Sequence, residues 1–225
     1  MQSRMILRSL LGAIFFAALL FLSAGTLAWP EGWAFLILFY GCSIATGFWL
    51  QASDPELLAA RMRSPFSADQ RPRDRIVIVI LMLVFLAWLV FMPLDAKRFG
   101  WSHLPVSAEL LGAVLVLVAF YGWILVLRAN SFAAVTVRVQ PERGQTVISN
   151  GPYAVVRHPM YGFALLFMIG TPLLLGSLWG LAWLLLHVPV LALRTLGEEK
   201  VLREGLAGYR DYAGKVRYRL VPGLW

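Results

Sequence analysis

Apolar residues run unbroken over membrane-spanning lengths in this chain, separated by short polar stretches. The runs Ile6–Ala28, Trp33–Leu50, Ile76–Leu94 and Val106–Leu127 are each long enough, at roughly 20 residues, to cross a hydrocarbon core about 30 Å thick. Trp29-Pro30-Glu31-Gly32 reads as a tight turn between the first two. A fifth run, Tyr161–Leu193, would be about 50 Å long as a single helix, too long to span comfortably. Its middle holds Gly170-Thr171-Pro172 and Gly176-Ser177, residues that break or turn a helix. The pattern predicts a helical hairpin of two short arms there, with one tilted, kinked helix as the alternative. The runs are continuous and do not alternate, which argues against a β-barrel. The expected fold is an all-α integral membrane protein with about six membrane segments. A four-helix region, 1–127, would precede a membrane-embedded region, 128–225.

Composition sharpens this reading. Hydrophobic residues make up 60% of the chain and charged residues only 14%, too few to cover a soluble domain of this size. The net charge of +8 raises the question of nucleic acid, but no nucleic-acid-binding motif is present. The positive-inside rule accounts for the charge better. With six segments and the N-terminus inside, all but Lys97 and Arg98 of the 20 basic residues fall on the inner side. A single helix in place of the hairpin would send the basic tail, Arg194 to Arg219, across the membrane. Arg4, Arg8, the first run and Ser23-Ala24-Gly25 also resemble a secretory signal peptide, the less favoured reading of that segment. One cysteine, Cys42, lies within an apolar run, so an internal disulfide is impossible.

Three polar segments share the inner side. Asp54-Pro55-Glu56-Leu57-Leu58-Ala59-Ala60-Arg61 has an N-cap, a proline at the first helical position and adjacent leucines, as a short interfacial helix would. Ser131–Val139 is rich in β-branched residues and is expected to be extended. Gly151-Pro-Tyr-Ala-Val-Val-Arg-His-Pro-Met-Tyr161 is expected to be ordered but non-helical, with Pro159 at the start of the hairpin. Backbone at that depth must be satisfied by protein or water, which a cofactor pocket would supply. Arg157, His158, Tyr153 and Tyr161 are its candidate site residues. The third segment begins at Arg194, four residues before Glu198 and so on the same helical face; Glu199 points about 100° away. Adjacent carboxylates near a bilayer need solvent or a cationic ligand. His187 reads as a packed core residue and His103 as a loop residue. The scattered histidines have no metal-ligand spacing, so no metal is expected.

At these residues the chain resembles the isoprenylcysteine carboxyl methyltransferase family of integral-membrane methyltransferases, related to phospholipid N-methyltransferases. The family pattern is Gly-Pro-Tyr-x-x-Val-Arg-His-Pro-x-Tyr, a helical hairpin, then Arg-x-x-x-Glu-Glu. Gly151, Pro152, Tyr153, Arg157, His158, Pro159 and Tyr161 fill the first part, and Arg194, Glu198 and Glu199 the second. Tyr209 and Tyr212 form a following Tyr-x-x-Tyr, whereas Glu204-Gly205 departs from the usual Phe-Gly. The strong match covers about 128–225, and Asp54–Leu58 resembles bacterial members. The resemblance implies S-adenosyl-L-methionine as methyl donor, held in a pocket closed by the C-terminal tail. It implies a multi-pass protein of the bacterial inner membrane, with both termini cytoplasmic. Tyr153, Arg157, His158, Tyr161, Glu198 and Glu199 would bind the cofactor. Arg194 would orient an anionic acceptor, its guanidinium fork matching a carboxylate, and Arg157 is the alternative holder of the cofactor's carboxylate. Catalysis is thereby expected at Arg194 and Glu198. The implied acceptor is lipophilic, a prenylcysteine-like carboxylate first, with a phospholipid amine or a small thiol as alternatives. Membrane lipids are the other expected partners, and nucleic acid is not one. A nicotinamide-dependent membrane reductase is the competing class, and the nearly charge-free first four spans argue against a transport pathway.

Overall fold

A computed structural model describes residues 2–63, 72–136 and 138–225. Arg71 and the rest of 64–71, expected in the first inside loop, lie outside the described residues. Helices α1 (Gln2–Ala24), α2 (Pro30–Ser53), α3 (Pro55–Arg61), α4 (Pro72–Pro93) and α5 (Val106–Ala129) come first. The second half holds α6 (Pro159–Leu174), α7 (Leu178–Ala182), α8 (Leu184–Gly205) and α9 (Tyr209–Lys215). No strand appears among the described residues; one isolated bridge joins Val156 to Tyr218. Five helices are long and apolar enough to cross a membrane: α1, α2, α4, α5 and the α7–α8 segment. Leu11, Ile14, Leu22, Ile37, Leu83 and Leu185 project outward from them, as lipid-facing positions should. The protein is an all-α integral membrane protein.

The fifth apolar run is a hairpin. Gly176 adopts φ +73° between α6 and α7, a left-handed conformation that glycine adopts readily and that reverses the chain here. The return is antiparallel, since Tyr161 at the start of α6 meets Glu198 on α8. α6 has 16 residues and is about 24 Å long. It nevertheless runs between the same two polar layers as α4: Asp74 sits beside Gly197 at one end, and Asp95 meets Ser177 at the other. At that far end the Asp95 carboxylate, fully buried, accepts from Ser102 Oγ at 2.7 Å and Ser177 Oγ at 2.6 Å. Ser177 Oγ in turn accepts from Gly180 N, capping α7. This polar knot ties the π-helical turn Leu94–Arg98 to the hairpin tip.

Aromatic packing and close backbone approach hold the bundle together, as lipid offers little hydrophobic drive between helices. Phe35, Trp88, Phe120 and Phe167 centre the core. Trp88 buries its indole and donates to Gly180 O at 2.9 Å. α5 and α6 touch backbone to backbone: a Cβ on Gly112 would fall 2.3 Å from Leu174 N, and one on Gly170 2.8 Å from Gly112 O. His187 is buried against Trp88, as a core histidine should be.

Three boundaries differ from expectation. Pro30, Glu31 and Gly32 open α2 instead of forming a turn, because proline is pre-set for the first helical position. Gly32 serves a different need, for a Cβ there would lie 2.5 Å from the Trp29 ring. Residues 131–136 form turns, not an extended strand. No strand among the described residues neighbours them, and side chains take their carbonyls instead: Gln140 bonds Phe132 O, Arg61 bonds Ala133 O and Arg194 bonds Val135 O. Finally, Arg194 does not open a tail. α8 runs on to Gly205 through Pro189, because Leu-Gly-Glu-Glu-Lys-Val-Leu-Arg contains mostly good helix formers.

Candidate active site

Continuation of α8 past the apolar region carries Arg194 and Glu198 out along one face, toward the start of α6. The Gly151–Tyr161 motif approaches from the other side as a 3-10 turn at Gly151–Ala154, followed by the bridge from Val156 to Tyr218. Pro159 then starts α6, with His158 at its N-cap position. The C-terminal tail lies along the motif: Arg157 N donates to Tyr218 O at 2.9 Å and His158 N to Arg219 O at 2.8 Å. Gly162 lets the tail come this close, since a Cβ there would fall 2.7 Å from Leu220 O.

These segments enclose a cavity of about 370 Å³, within the range of small-molecule sites. Tyr153, Arg157, His158, Tyr161, Arg194 and Glu198 line it. Asn130, Thr136, Thr146, Tyr209, Tyr212 and Arg61 add to the polar wall. Ile78, Leu81 and Met82 of α4 and Leu202 of α8 line an apolar side, and Met82 is itself exposed on the outer surface.

Tyr161 organises the polar wall. Its hydroxyl donates to Glu198 Oε2 at 2.7 Å and accepts from Arg194 Nε at 3.3 Å. Arg194 and Glu198, spaced for a direct ion pair, are thus joined through a phenol. Arg194 Nη2 donates to Val135 O at 2.7 Å, while Nη1 is buried without a partner. Tyr209 Oη is likewise buried and unpartnered. Burial, then the charges of Glu199 and Glu198, push the Tyr209 phenol above its ordinary pKa and keep it a neutral donor. Tyr153 is also pushed upward by burial; its hydroxyl accepts from Asn130 Nδ2 at 2.8 Å. His158 stacks on Tyr161 with ring centres 5.9 Å apart.

Glu199 is not among the residues that line the cavity. Its carboxylate meets Arg157 Nε at 2.6 Å, Arg219 Nε at 3.3 Å, His158 Nε2 at 3.5 Å and Arg203 Nη2 at 3.6 Å. Arg157 spends Nη1 on Val216 O at 2.7 Å and Arg217 O at 3.0 Å. The pair is therefore a buried bolt between motif, α8 and tail. Tyr212 Oη adds a second tie, donating to Tyr153 O at 2.8 Å. The structure thus brings every expected site residue to one place, with Glu199 behind the wall. Arg61 and Asn130 were not legible as site residues: Arg61 looks like any inner-side basic residue, and Asn130 like a helix end.

Unpartnered donors at Arg194 and Tyr209, the Glu198 carboxylate and an adjoining apolar wall fit a ligand that has both an anionic or hydroxylated part and a hydrophobic part. No curated protein matches the chain. The model of the phospholipid methyltransferase family matches residues 108–207, from α5 through the motif and the hairpin to the end of α8. Over that segment, from α5 to the end of α8, the chain is similar to the phospholipid methyltransferase family.

Proposed function

We propose that the protein transfers a methyl group from S-adenosyl-L-methionine to a lipophilic acceptor at the inner membrane face, with a prenylcysteine-like carboxylate as the preferred acceptor. The observation that carries this reading is the two-sided cavity: polar residues of the motif and α8 face the apolar side chains of α4 across about 370 Å³.

S-adenosyl-L-methionine supplies a sulfonium-activated methyl group. The residues present fit it: Glu198 offers a carboxylate to ribose hydroxyls or the ammonium, Tyr209 a neutral donor, and Tyr153 and His158 flat walls. Arg194 Nη1 would hold an acidic group of the acceptor, its direction fixed by Tyr161 and Val135 O. Displacement at a methyl carbon needs alignment above all, and a carboxylate acceptor has no proton to lose. The tail, bolted over the motif, excludes water. Ile78, Leu81 and Met82 would receive the acceptor's hydrocarbon part. Arginines around the cavity disfavour an ammonium acceptor, which is why the carboxylate ranks ahead of the phospholipid amine that the family's name suggests.

Purified protein given methyl-labelled cofactor should label an S-prenylcysteine acid, with little change in rate between pH 6 and 8. An amine or thiol acceptor would show a rate rising with pH as the nucleophile deprotonates. The Arg194→Lys variant should raise the acceptor KM about tenfold or more. Unchanged KM and kcat would remove Arg194 from acceptor binding.

A further inference from the structure

Among the described residues, Arg61 at the cavity has no carboxylate partner. Arg61, the last residue of α3, lines the cavity and donates from Nη1 to Ala133 O at 2.8 Å. No carboxylate pairs with it among the described residues. The other cavity arginines are engaged: Arg138 with Glu142, Arg157 with Glu199, and Arg194 with Glu198 through Tyr161. Burial lowers the pKa of Arg61 and the nearby Tyr153 raises it. A guanidinium stays protonated regardless, so among the described residues this desolvated charge has no anion to offset it.

The arm that carries Arg61 is built to hold it there. Asp54 caps α3 through Leu57 N at 2.9 Å, and Leu57 and Leu58 are buried beneath. Glu56 pairs with Arg143 of the loop at 3.5 Å, and Arg8 of α1 donates to Met62 O at 2.7 Å. A side chain serving only membrane orientation needs none of this.

We propose that Arg61 is a second carboxylate-binding cation of the cavity beside Arg194: α3 delivers it near Tyr153, where the acidic group of a bound ligand completes the missing ion pair. The proposal rests on the methyltransferase reading. Two ligands of that reaction carry such a group, the amino-acid end of the cofactor and an acidic acceptor.

Binding distinguishes them. Wild type, Arg61→Met and Arg61→Lys would be titrated with S-adenosylhomocysteine and with its decarboxylated analogue. They would then be titrated, saturated with S-adenosylhomocysteine, with an N-acetylated S-prenylcysteine as free acid and as carboxamide. Wild type should prefer the acid of one pair by about ten- to a hundredfold, as for a hydrogen bond to a charged group. Arg61→Met should abolish that preference while leaving the uncharged ligand's affinity in place, and Arg61→Lys should restore part of it. Loss in the first pair assigns Arg61 to the cofactor, and loss in the second to the acceptor. An acid preference that survives in Arg61→Met, or acid and neutral ligands weakened equally, overturns the proposal. Failure of wild type to bind S-adenosylhomocysteine at all would instead sink the methyltransferase reading beneath it.

Discussion

Tyr161 and Glu199 show how neighbouring polar residues divide the work. Tyr161 joins Glu198 to Arg194 and thereby fixes a cavity-lining guanidinium whose Nη1 is buried without a hydrogen-bond partner. Tyr161→Phe keeps the ring but removes the hydroxyl that links the charges. Two charge-assisted hydrogen bonds of roughly 1.5–3 kcal/mol each are lost, and Arg194 and Glu198 collapse toward one another. The expected result is a fall in kcat/KM of ten- to several hundredfold with little change in melting temperature. A variant as active as wild type would show that the link is incidental. Glu199 behaves in the opposite way. It is 3% exposed and neutralises Arg157, which is 6% exposed. Glu199→Gln leaves a buried guanidinium unpaired, at a cost of about 3–5 kcal/mol. Lowered thermal stability and a protease-sensitive tail should follow. A stable variant with an intact tail would contradict the bolt. At this scale the motif residues were legible because Arg, His and Tyr at a membrane mouth are costly without a use. The split between Glu198 and Glu199 was not legible. It depends on which carboxylate the returning tail covers, and spacing along one helix does not say.

Among the elements, the α5–α6 contact sets the geometry of the site, since α6 carries Tyr161 at its first turn. Gly112 and Gly170 let the two backbones touch. Gly112→Val would drive a side chain into the Leu174 backbone, where rotamer changes give no relief. Overpacking of this kind costs about 1–3 kcal/mol or more. The expected outcome is a lower melting temperature together with weaker cofactor binding; unchanged values for both would show that the helices separate without consequence. Span positions were legible from apolar run length, and the hairpin from Gly176-Ser177 and charge parity. The start of α2 was misread because Pro and Gly are shared by turns and helix N-termini. The length of α8 was misread because polarity marks where a helix leaves lipid, not where it ends. The 131–136 segment was misread because β-branched residues favour strands only when a partner strand exists.

Across the whole molecule, the fold is polarised. The Asp95 knot closes one end of the bundle, and the cavity opens at the other, where α3, the loop, α8 and the tail converge. Its walls are polar on the side of the motif and α8 and apolar on the side of α4. The most direct measurement is calorimetric titration of the detergent-purified protein with S-adenosylhomocysteine, alongside Glu198→Gln. One saturable site in wild type, weakened about tenfold or more in the variant while both proteins melt alike, is the predicted result. No binding by well-folded wild type would contradict the proposed function and leave the cavity to another cofactor.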